Sequence, residues 1–180
     1  MLAKIHDVSL SVQQQRELLQ KFILSADFKL RHADFGVVTK VHVGVSEAAQ
    51  EFSDNLSRAK KLNKLGYNVY LLPTLKSHTS ADYILEKEGK IWLCELKTIY
   101  GKNSISHRFK KAKRQADRVV VNIVGHISSR KVACEIKTFF EEYDKLKEIL
   151  VLKSGKLICV RRGRVAEKKF IELFMKDWNK

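Results

Sequence analysis

The chain has 180 residues, 44% of them hydrophobic, which is typical of one compact domain with a sizeable core. Its 35 Lys and Arg residues outnumber 20 Asp and Glu residues, and this net charge of +15 favours a polyanionic partner, first of all nucleic acid. No apolar run approaches the roughly 20 residues that span a bilayer, so we expect no membrane-embedded segment.

We predict a single domain over residues 1–180, divided into three segments. The first segment, residues 1–45, is an N-terminal extension made of a helix and a strand. Its helix is predicted from apolar residues at helical spacing, which are Leu18, Leu19, Phe22 and Ile23. Its strand is predicted from the alternating, β-branched stretch at residues 35–45.

The second segment, residues 46–124, is the predicted catalytic core. It opens with an amphipathic helix that Gly66 is placed to end. A short apolar strand follows, and residues 83–99 then predict a hairpin that turns near Glu88 and Gly89. A second amphipathic helix, from about residue 104 to 118, leads into the strand VVVNIV.

The third segment, residues 125–180, adds a helix, two strands and a terminal helix. The two strands are hinged at Ser154 and Gly155, and the terminal helix ends near Trp178. Strands grouped between helices predict an α/β fold with a mixed β-sheet flanked by helices.

The strand KIWLCELKT carries the most informative pattern, because side chains alternate between the two faces of a strand. Ile91 and Leu93 fall on the same face as Glu95 and Lys97, while the other face is apolar. Charges in such a strand are costly unless they are paired or used. One interpretation is a weak surface ion pair at the end of the strand.

Asp82 favours a second interpretation, because it precedes the other strand of the same hairpin and is expected to lie beside Glu95. Two carboxylates next to a lysine form a site for a hard divalent cation, so we predict that Asp82 and Glu95 bind a metal ion. Mg²⁺ is the first expectation, with Mn²⁺ or Zn²⁺ as alternatives. Lys97 would contact the scissile phosphate or a metal-bound water in phosphodiester hydrolysis.

Asp82 followed by Glu95-Leu96-Lys97 resembles the motif of the PD-(D/E)XK nuclease superfamily, with Ala81 in place of the proline that often precedes the aspartate. The resemblance implies a restriction-endonuclease-like core of helix, β-hairpin, helix and strand. It also implies that Gln115 faces the site and that an acid on the first helix completes it. Among Glu47, Glu51 and Asp54 we favour Glu51, although acids there also suit the helix dipole.

The stretch from residue 47 to 123 is similar to the C-terminal nuclease domains of bacterial contact-dependent inhibition toxins and related polymorphic toxins. The similarity lies in the phrase LGYNVYLLP before the aspartate and in a basic helix with a glutamine after the lysine. It implies an endonuclease of RNA, transfer RNA in particular, with DNA as the alternative substrate. It also implies a cognate immunity protein and action in the cytoplasm, of the producing cell or of a target bacterium.

A basic stripe is expected along the second helix, where Arg108, Lys111, Gln115 and Arg118 recur at steps of three and four residues. Such a stripe is often only a solvated surface, but this one carries no acid until Asp117 and follows the proposed catalytic strand. We predict that nucleic acid is bound by Arg108, Lys111, Lys113, Arg114 and Arg118. A second basic cluster, Arg161, Arg162 and Arg164, would extend this surface or bind elsewhere.

Two alternatives remain open at this point. A metal-independent RNase of the barnase, EndoU, colicin or RelE type would use a general base and acid, and His78 and His107 are candidates. A nucleic-acid-binding module without catalysis would need only the positive charge.

The three cysteines, Cys94, Cys134 and Cys159, are odd in number, widely spaced and set in apolar segments. They predict buried free thiols in a reducing compartment, and their spacing does not suit a structural zinc site.

Overall fold

The computed structural model describes residues 14, 17, 41–43, 49–71, 81–113 and 115–180. The predicted N-terminal helix lies outside this part of the chain apart from residues 14 and 17, which are helical. Glu47, His78 and Arg114 also lie outside it. The chain divides into two compact units, residues 1–93 and 94–180. The division differs from the predicted segment boundaries, and the single-domain organisation stays a prediction.

Within the described residues, the first unit contains a small mixed sheet with a helix against it. Its elements are β1 (Val41–Val43), α1 (Ala49–Lys64), β2 (Asn68–Leu71), β3 (Tyr83–Lys87) and the start of β4 (Lys90–Ile99). Strand β1 pairs parallel with β2, and β2 pairs antiparallel with β3. Helix α1 contacts both β1 and β2.

Helix α1 ends as the sequence predicts, because Gly66 adopts a φ of 85° that an L side chain rarely accepts. The Gly66 N–H donates to Asn63 O at 2.9 Å, and the Tyr67 N–H reaches back to Leu62 O at 3.2 Å. These two bonds form a Schellman motif that satisfies carbonyls of the last helical turn. The Tyr83 hydroxyl donates to Asn55 O at 2.7 Å and fastens β3 to this helix.

The predicted turn at Glu88 and Gly89 is also confirmed. These two residues alone connect β3 and β4, and their φ angles are 52° and 69°. Positive φ at both central residues is the geometry of a type I′ hairpin turn.

The second unit is a mixed sheet covered by helices. After β4 come a 3₁₀ turn (Lys102–Ser104), α2 (Ile105–Ala112), β5 (Arg118–Ile123), α3 (Ser129–Glu142), β6 (Glu148–Lys153), β7 (Lys156–Arg161), α4 (Arg162–Val165) and α5 (Phe170–Asn179). Strands β4, β5 and β6 are parallel neighbours, and β7 pairs antiparallel with β6. The predicted α/β fold with a mixed sheet flanked by helices is confirmed, whereas the restriction-endonuclease-like core stays a prediction.

The core of this unit lies between one face of the sheet and helices α2, α3 and α5. Alternate strand residues such as Val119, Val121 and Val151 are fully buried there. Phe109 of α2 stacks on Phe139 of α3 with ring centroids 4.7 Å apart. Within the described residues, no helix has the length and apolar character needed to cross a membrane.

The second predicted helix is shorter than the sequence suggests. Helix α2 ends at Ala112 rather than near Arg118, and the Gln115 N–H closes a turn on Ala112 O at 2.9 Å. Arg118 already belongs to β5, where it pairs in register with Glu148. The basic stripe predicted along one helix is therefore wrong beyond Ala112, because pairing of the β-branched strand outweighs the helical period.

Candidate active site

Glu95 lies in the middle of β4 and is 1% exposed. Its register partner in β5 is Val119, and that of Lys97 is Val121. Register partners in a parallel pair share a face of the sheet, and both valines belong to the core under the helices. The carboxylate and the ammonium thus project into the helix-covered side of the sheet, which is a costly place for two charges.

The Lys97 ammonium contacts two other polar side chains. It donates to Glu95 Oε1 and also to Gln115 Oε1, the latter at 2.9 Å. Glu95 and Lys97 are two positions apart on one strand, a spacing that puts both side chains on the same face. The structure therefore brings together three of the predicted site residues.

Gln115 reaches this position because α2 stops short of it. The turn after Ala112 lets the chain enter β5 within a few residues, and Gln115 is held in that turn by its own N–H. Gln115 was predicted on a helix that faces the site, and in the structure it lies in a turn, where it contacts Lys97. The signal for the turn was weak, because no glycine or proline marks the end of α2.

The remaining predicted acids belong to residues 1–93. Asp82 lies in the bend before β3 and is partly buried. The backbone of Glu51 belongs to α1, while its side chain lies outside the described part of the chain. Asp54, an alternative to Glu51, forms an ion pair with Arg58 at 3.1 Å.

The oxygen atoms around the Lys97 ammonium are of the kind that binds a hard divalent cation. The Glu95 carboxylate and the Gln115 amide oxygen both accept from one cationic group, and Mg²⁺ and Mn²⁺ prefer such oxygen ligands. Among side chains that the structure describes, no three or more His, Cys, Asp and Glu residues cluster in a way that would hold a metal ion. A metal ion here would therefore use Glu95 together with ligands of another kind or from another segment.

The predicted nucleic-acid-binding residues differ in how much they are already engaged. On α2, Lys111 is exposed and Arg108 is partly exposed. The Lys113 ammonium donates to Glu142 O at 2.7 Å and lies 5.8 Å from the centre of the Tyr143 ring.

Arg118 pairs with two acids, Asp117 at 3.2 Å and Glu148 at 3.9 Å. These contacts give Arg118, like Lys113, a structural role that the sequence did not predict.

The second basic cluster stabilises the fold. The Arg162 guanidinium donates to four backbone carbonyls after and within the last turn of α3, at distances of 2.6–3.2 Å. Arg164 bonds to Cys159 O and to the carboxylate of Asp177, and Arg161 donates to Glu148 Oε1 at 2.9 Å. A cation at a helix C-terminus also interacts favourably with the helix dipole.

The cysteines are free thiols, as predicted, but only one of them is buried. Cys94 is buried, and burial raises the pKa of its thiol strongly. Burial and a hydrogen bond to Glu148 raise the pKa of Cys159 to about 11. Cys134 is exposed, because its neighbours Val132, Ala133 and Ile136 form the buried side of α3. The prediction that it is buried was wrong.

The family match covers the part of the chain that holds the candidate site. No curated protein matches the sequence. A solved CdiA-CT/CdiI toxin and immunity complex from Burkholderia pseudomallei is 17% identical with a TM-score of 0.45, over 65% of this chain and 90% of that chain. The family model of the contact-dependent growth inhibition CdiA C-terminal domain matches residues 79–157, which include Asp82, Glu95, Lys97 and Gln115. From residue 79 to 157, the chain is thus similar to the C-terminal domain of CdiA.

Proposed function

We propose that this chain is a growth-inhibition toxin domain that hydrolyses phosphodiester bonds of nucleic acid, with RNA, and transfer RNA in particular, as its substrate. The observation that carries the proposal is the buried contact of Glu95 and Gln115 with the Lys97 ammonium. It occurs in a chain with a net charge of +15. Buried charges are costly unless they are paired or used in chemistry.

The free-energy cost of burying the Glu95–Lys97 ion pair supports a functional role over a purely structural one. The Glu95 side chain is 1% exposed and that of Lys97 is 12% exposed, so both groups have lost most of their hydration. Apolar residues of similar volume often stabilise a core as well as a buried ion pair does, or better. A use in chemistry would account for two charges on a face otherwise lined by valines and isoleucines.

The side chains can be given distinct tasks. The Lys97 ammonium is suited to contact the scissile phosphate, where it would stabilise the charge that builds on the phosphoryl oxygens. The amide oxygen of Gln115 orients that ammonium. Glu95 would hold a divalent metal ion, with Asp82 of the sequence motif as the second ligand. The resemblance to the PD-(D/E)XK superfamily implies Glu51 of the first helix as the acid that completes the site. When bound, Mg²⁺, or alternatively Mn²⁺ or Zn²⁺, would supply a nucleophilic water.

Charge supports nucleic acid as the substrate, and the family match supports the toxin role. Residues 96–116 contain seven Lys and Arg residues and no Asp or Glu. Arg108 and Lys111 are suited to bind phosphates beside the site, since they lie on α2 just after the catalytic strand. The match to the CdiA C-terminal domain supports growth inhibition as the outcome of cleavage.

A toxin of this kind needs a neutralising partner in the cell that makes it. We propose a cognate immunity protein with an acidic surface, because opposite charge speeds and orients binding to a strongly basic domain. Such a protein would act by covering the basic surface and thereby excluding nucleic acid. Both proteins would meet in the cytoplasm, of the producing cell or of a target bacterium.

The direct test is a cleavage assay with purified protein on end-labelled transfer RNA and duplex DNA. The reactions contain Mg²⁺, Mn²⁺ or excess EDTA. The proposal expects discrete cleavage of transfer RNA with metal ions and none with EDTA. Cleavage in excess EDTA would instead indicate a metal-independent RNase, and binding without cleavage under any condition would indicate a binding module.

A further inference from the structure

Two exposed apolar residues lie next to each other where β4 and β5 end. Tyr100 is 59% exposed and Val124 is 53% exposed, more than the other exposed large hydrophobic residue of the described chain, Leu173 at 39%. The Val124 N–H donates to Ile99 O at 3.0 Å, so the two chain ends remain joined beyond the strands. They form a small apolar patch at the carboxyl end of two parallel strands, where ligands of open α/β sheets commonly bind.

The backbone of this patch is fixed. A Cβ atom on Gly125 would lie 1.9 Å from the Tyr100 carbonyl oxygen, so only glycine allows the two backbones to pack so closely. The Lys153 ammonium donates to Gly125 O at 3.1 Å and lies 5.9 Å from the centre of the Trp178 ring. Tyr100 therefore presents an exposed ring from a backbone that is held in place.

The surroundings of the ring are positively charged. Tyr100 is the aromatic residue nearest to Lys97 along an acid-free stretch, residues 96–116. Lys102 follows it directly after Gly101 and is exposed, as is His126 after Gly125. A flat aromatic ring among cationic groups suits nucleic acid, whose bases stack on aromatic side chains while its phosphates meet Lys and Arg.

We propose that Tyr100 is a stacking site for an unpaired base of the nucleic-acid substrate and that Lys102 contacts a neighbouring phosphate. Tyr100 and Lys102 lie two residues apart on either side of an extended Gly101, or about 7 Å, so one bound strand can reach both. This inference rests on the proposed nuclease function and adds a preference for single-stranded regions such as loops. Stacking also tolerates any base, because every base has a π-face.

The test measures binding by fluorescence anisotropy with full-length protein carrying Glu95→Gln, which prevents cleavage. The two probes are an RNA hairpin with an unpaired loop and a fully paired RNA duplex of equal length. Tyr100→Ala is expected to weaken hairpin binding about tenfold and to leave duplex binding unchanged. Tyr100→Phe is expected to retain the affinity, because the ring and not the hydroxyl stacks.

Two further variants separate stacking from other effects. Lys102→Ala is expected to weaken the binding of both probes and to reduce the salt dependence of binding by about one phosphate contact. Leu173→Ala, at an exposed apolar position on α5, is expected to leave the binding of both probes unchanged. Thermal melting of every variant verifies that the fold is retained.

The failures of the two proposals are distinguishable. If the wild-type chain cleaves RNA but Tyr100→Ala binds the hairpin as well as its parent, the stacking site is wrong and the nuclease function stands. Equal weakening of hairpin and duplex also overturns the stacking site. If the chain neither binds nor cleaves nucleic acid, and Tyr100→Ala abolishes self-association or binding of an immunity protein, both proposals fail.

Discussion

Two buried glutamates of the second unit are arranged in different ways. Glu95 meets an ammonium from its own strand, two residues further on. Glu148 accepts from Cys159 and from Arg161 of β7, each at 2.9 Å, and lies 3.9 Å from Arg118 of β5. The contacts of Glu148 link three neighbouring strands, whereas the Glu95–Lys97 pair links none.

This difference separates a charge that stabilises a sheet from one available for chemistry. A buried acid with counter-ions on neighbouring strands helps to fix their register. A buried acid with its counter-ion on the same strand adds no such cross-link. The cost of burying Glu95 is then more readily explained by function.

The largest effect on stability is expected from Lys97→Met, which leaves the Glu95 carboxylate buried without its ammonium. The free energy of unfolding should fall by about 3–5 kcal/mol, as when one partner of a buried ion pair is removed. Denaturant titration measures it. The matched control is Lys156→Met, at an exposed position of β7, which should change stability by less than about 0.5 kcal/mol.

The double variant Glu95→Gln/Lys97→Met tests the coupling between the two charges. It should recover much of the stability lost in Lys97→Met, because the uncompensated charge is gone. Simple addition of the two single effects would contradict a direct pair.

Glu148→Gln should lower stability by about 1–3 kcal/mol, because Arg161 and Arg118 lose a charged acceptor that links their strands. Its rate of RNA cleavage should stay within about twofold of the wild type. The measurement pairs melting with cleavage, and Glu141→Gln on the exposed side of α3 is the control. A large loss of cleavage at unchanged stability would assign Glu148 to the active site instead.

A smaller effect on stability is expected at alkaline pH, where the Cys159 thiol titrates. The pKa of Cys159 rises from 9.0 in an ordinary thiol to about 11 in the folded chain. The folded state therefore holds a proton that the unfolded state releases between these values, and stability should fall as pH rises through that window.

Cys159→Ala should reduce this loss of melting temperature between pH 9 and 11, whereas Cys134→Ala, at an exposed thiol, should not. An identical pH dependence in the wild type and Cys159→Ala would show that this thiol does not contribute.

The smallest effect is expected for phosphate contacts on α2. Lys111→Ala should weaken RNA binding a few-fold and lower the salt dependence by about one contact. Lys113→Ala is the matched comparison, because its ammonium is held by Glu142 O and should affect stability more than binding. Equal loss of salt dependence in both variants would mean that Lys113 also meets phosphate.

The sequence predicted most of what depends on local chemistry. Gly66 ends its helix, and the turns at Glu88–Gly89 and Ser154–Gly155 are formed by residues with positive φ, as their types suggest. The shared face of Glu95 and Lys97 could also be predicted, because side chains alternate strictly between the two faces of a strand.

The features that could not be predicted from the sequence are contacts between residues that are distant in the chain. Arg118 pairs in register with Glu148 of another strand, and nothing in its own neighbourhood indicates that partner. Arg162 caps a helix that ends some twenty residues earlier, a contact set by the return of the chain. The helical spacing of the basic residues therefore predicted a continued helix where the chain forms a turn at Gln115 and begins a strand at Arg118.

The central claim is that Glu95 serves chemistry while Glu148 serves structure, and cleavage of labelled transfer RNA with Mg²⁺ by Glu95→Gln and Glu148→Gln tests it most directly. Both substitutions keep the shape of the side chain and remove its charge. The account predicts a loss of about 10³-fold or more in the cleavage rate, or roughly 4 kcal/mol of transition-state stabilisation, for folded Glu95→Gln, and a near wild-type rate for Glu148→Gln. Wild-type cleavage by Glu95→Gln, or equal losses in both variants, would contradict it.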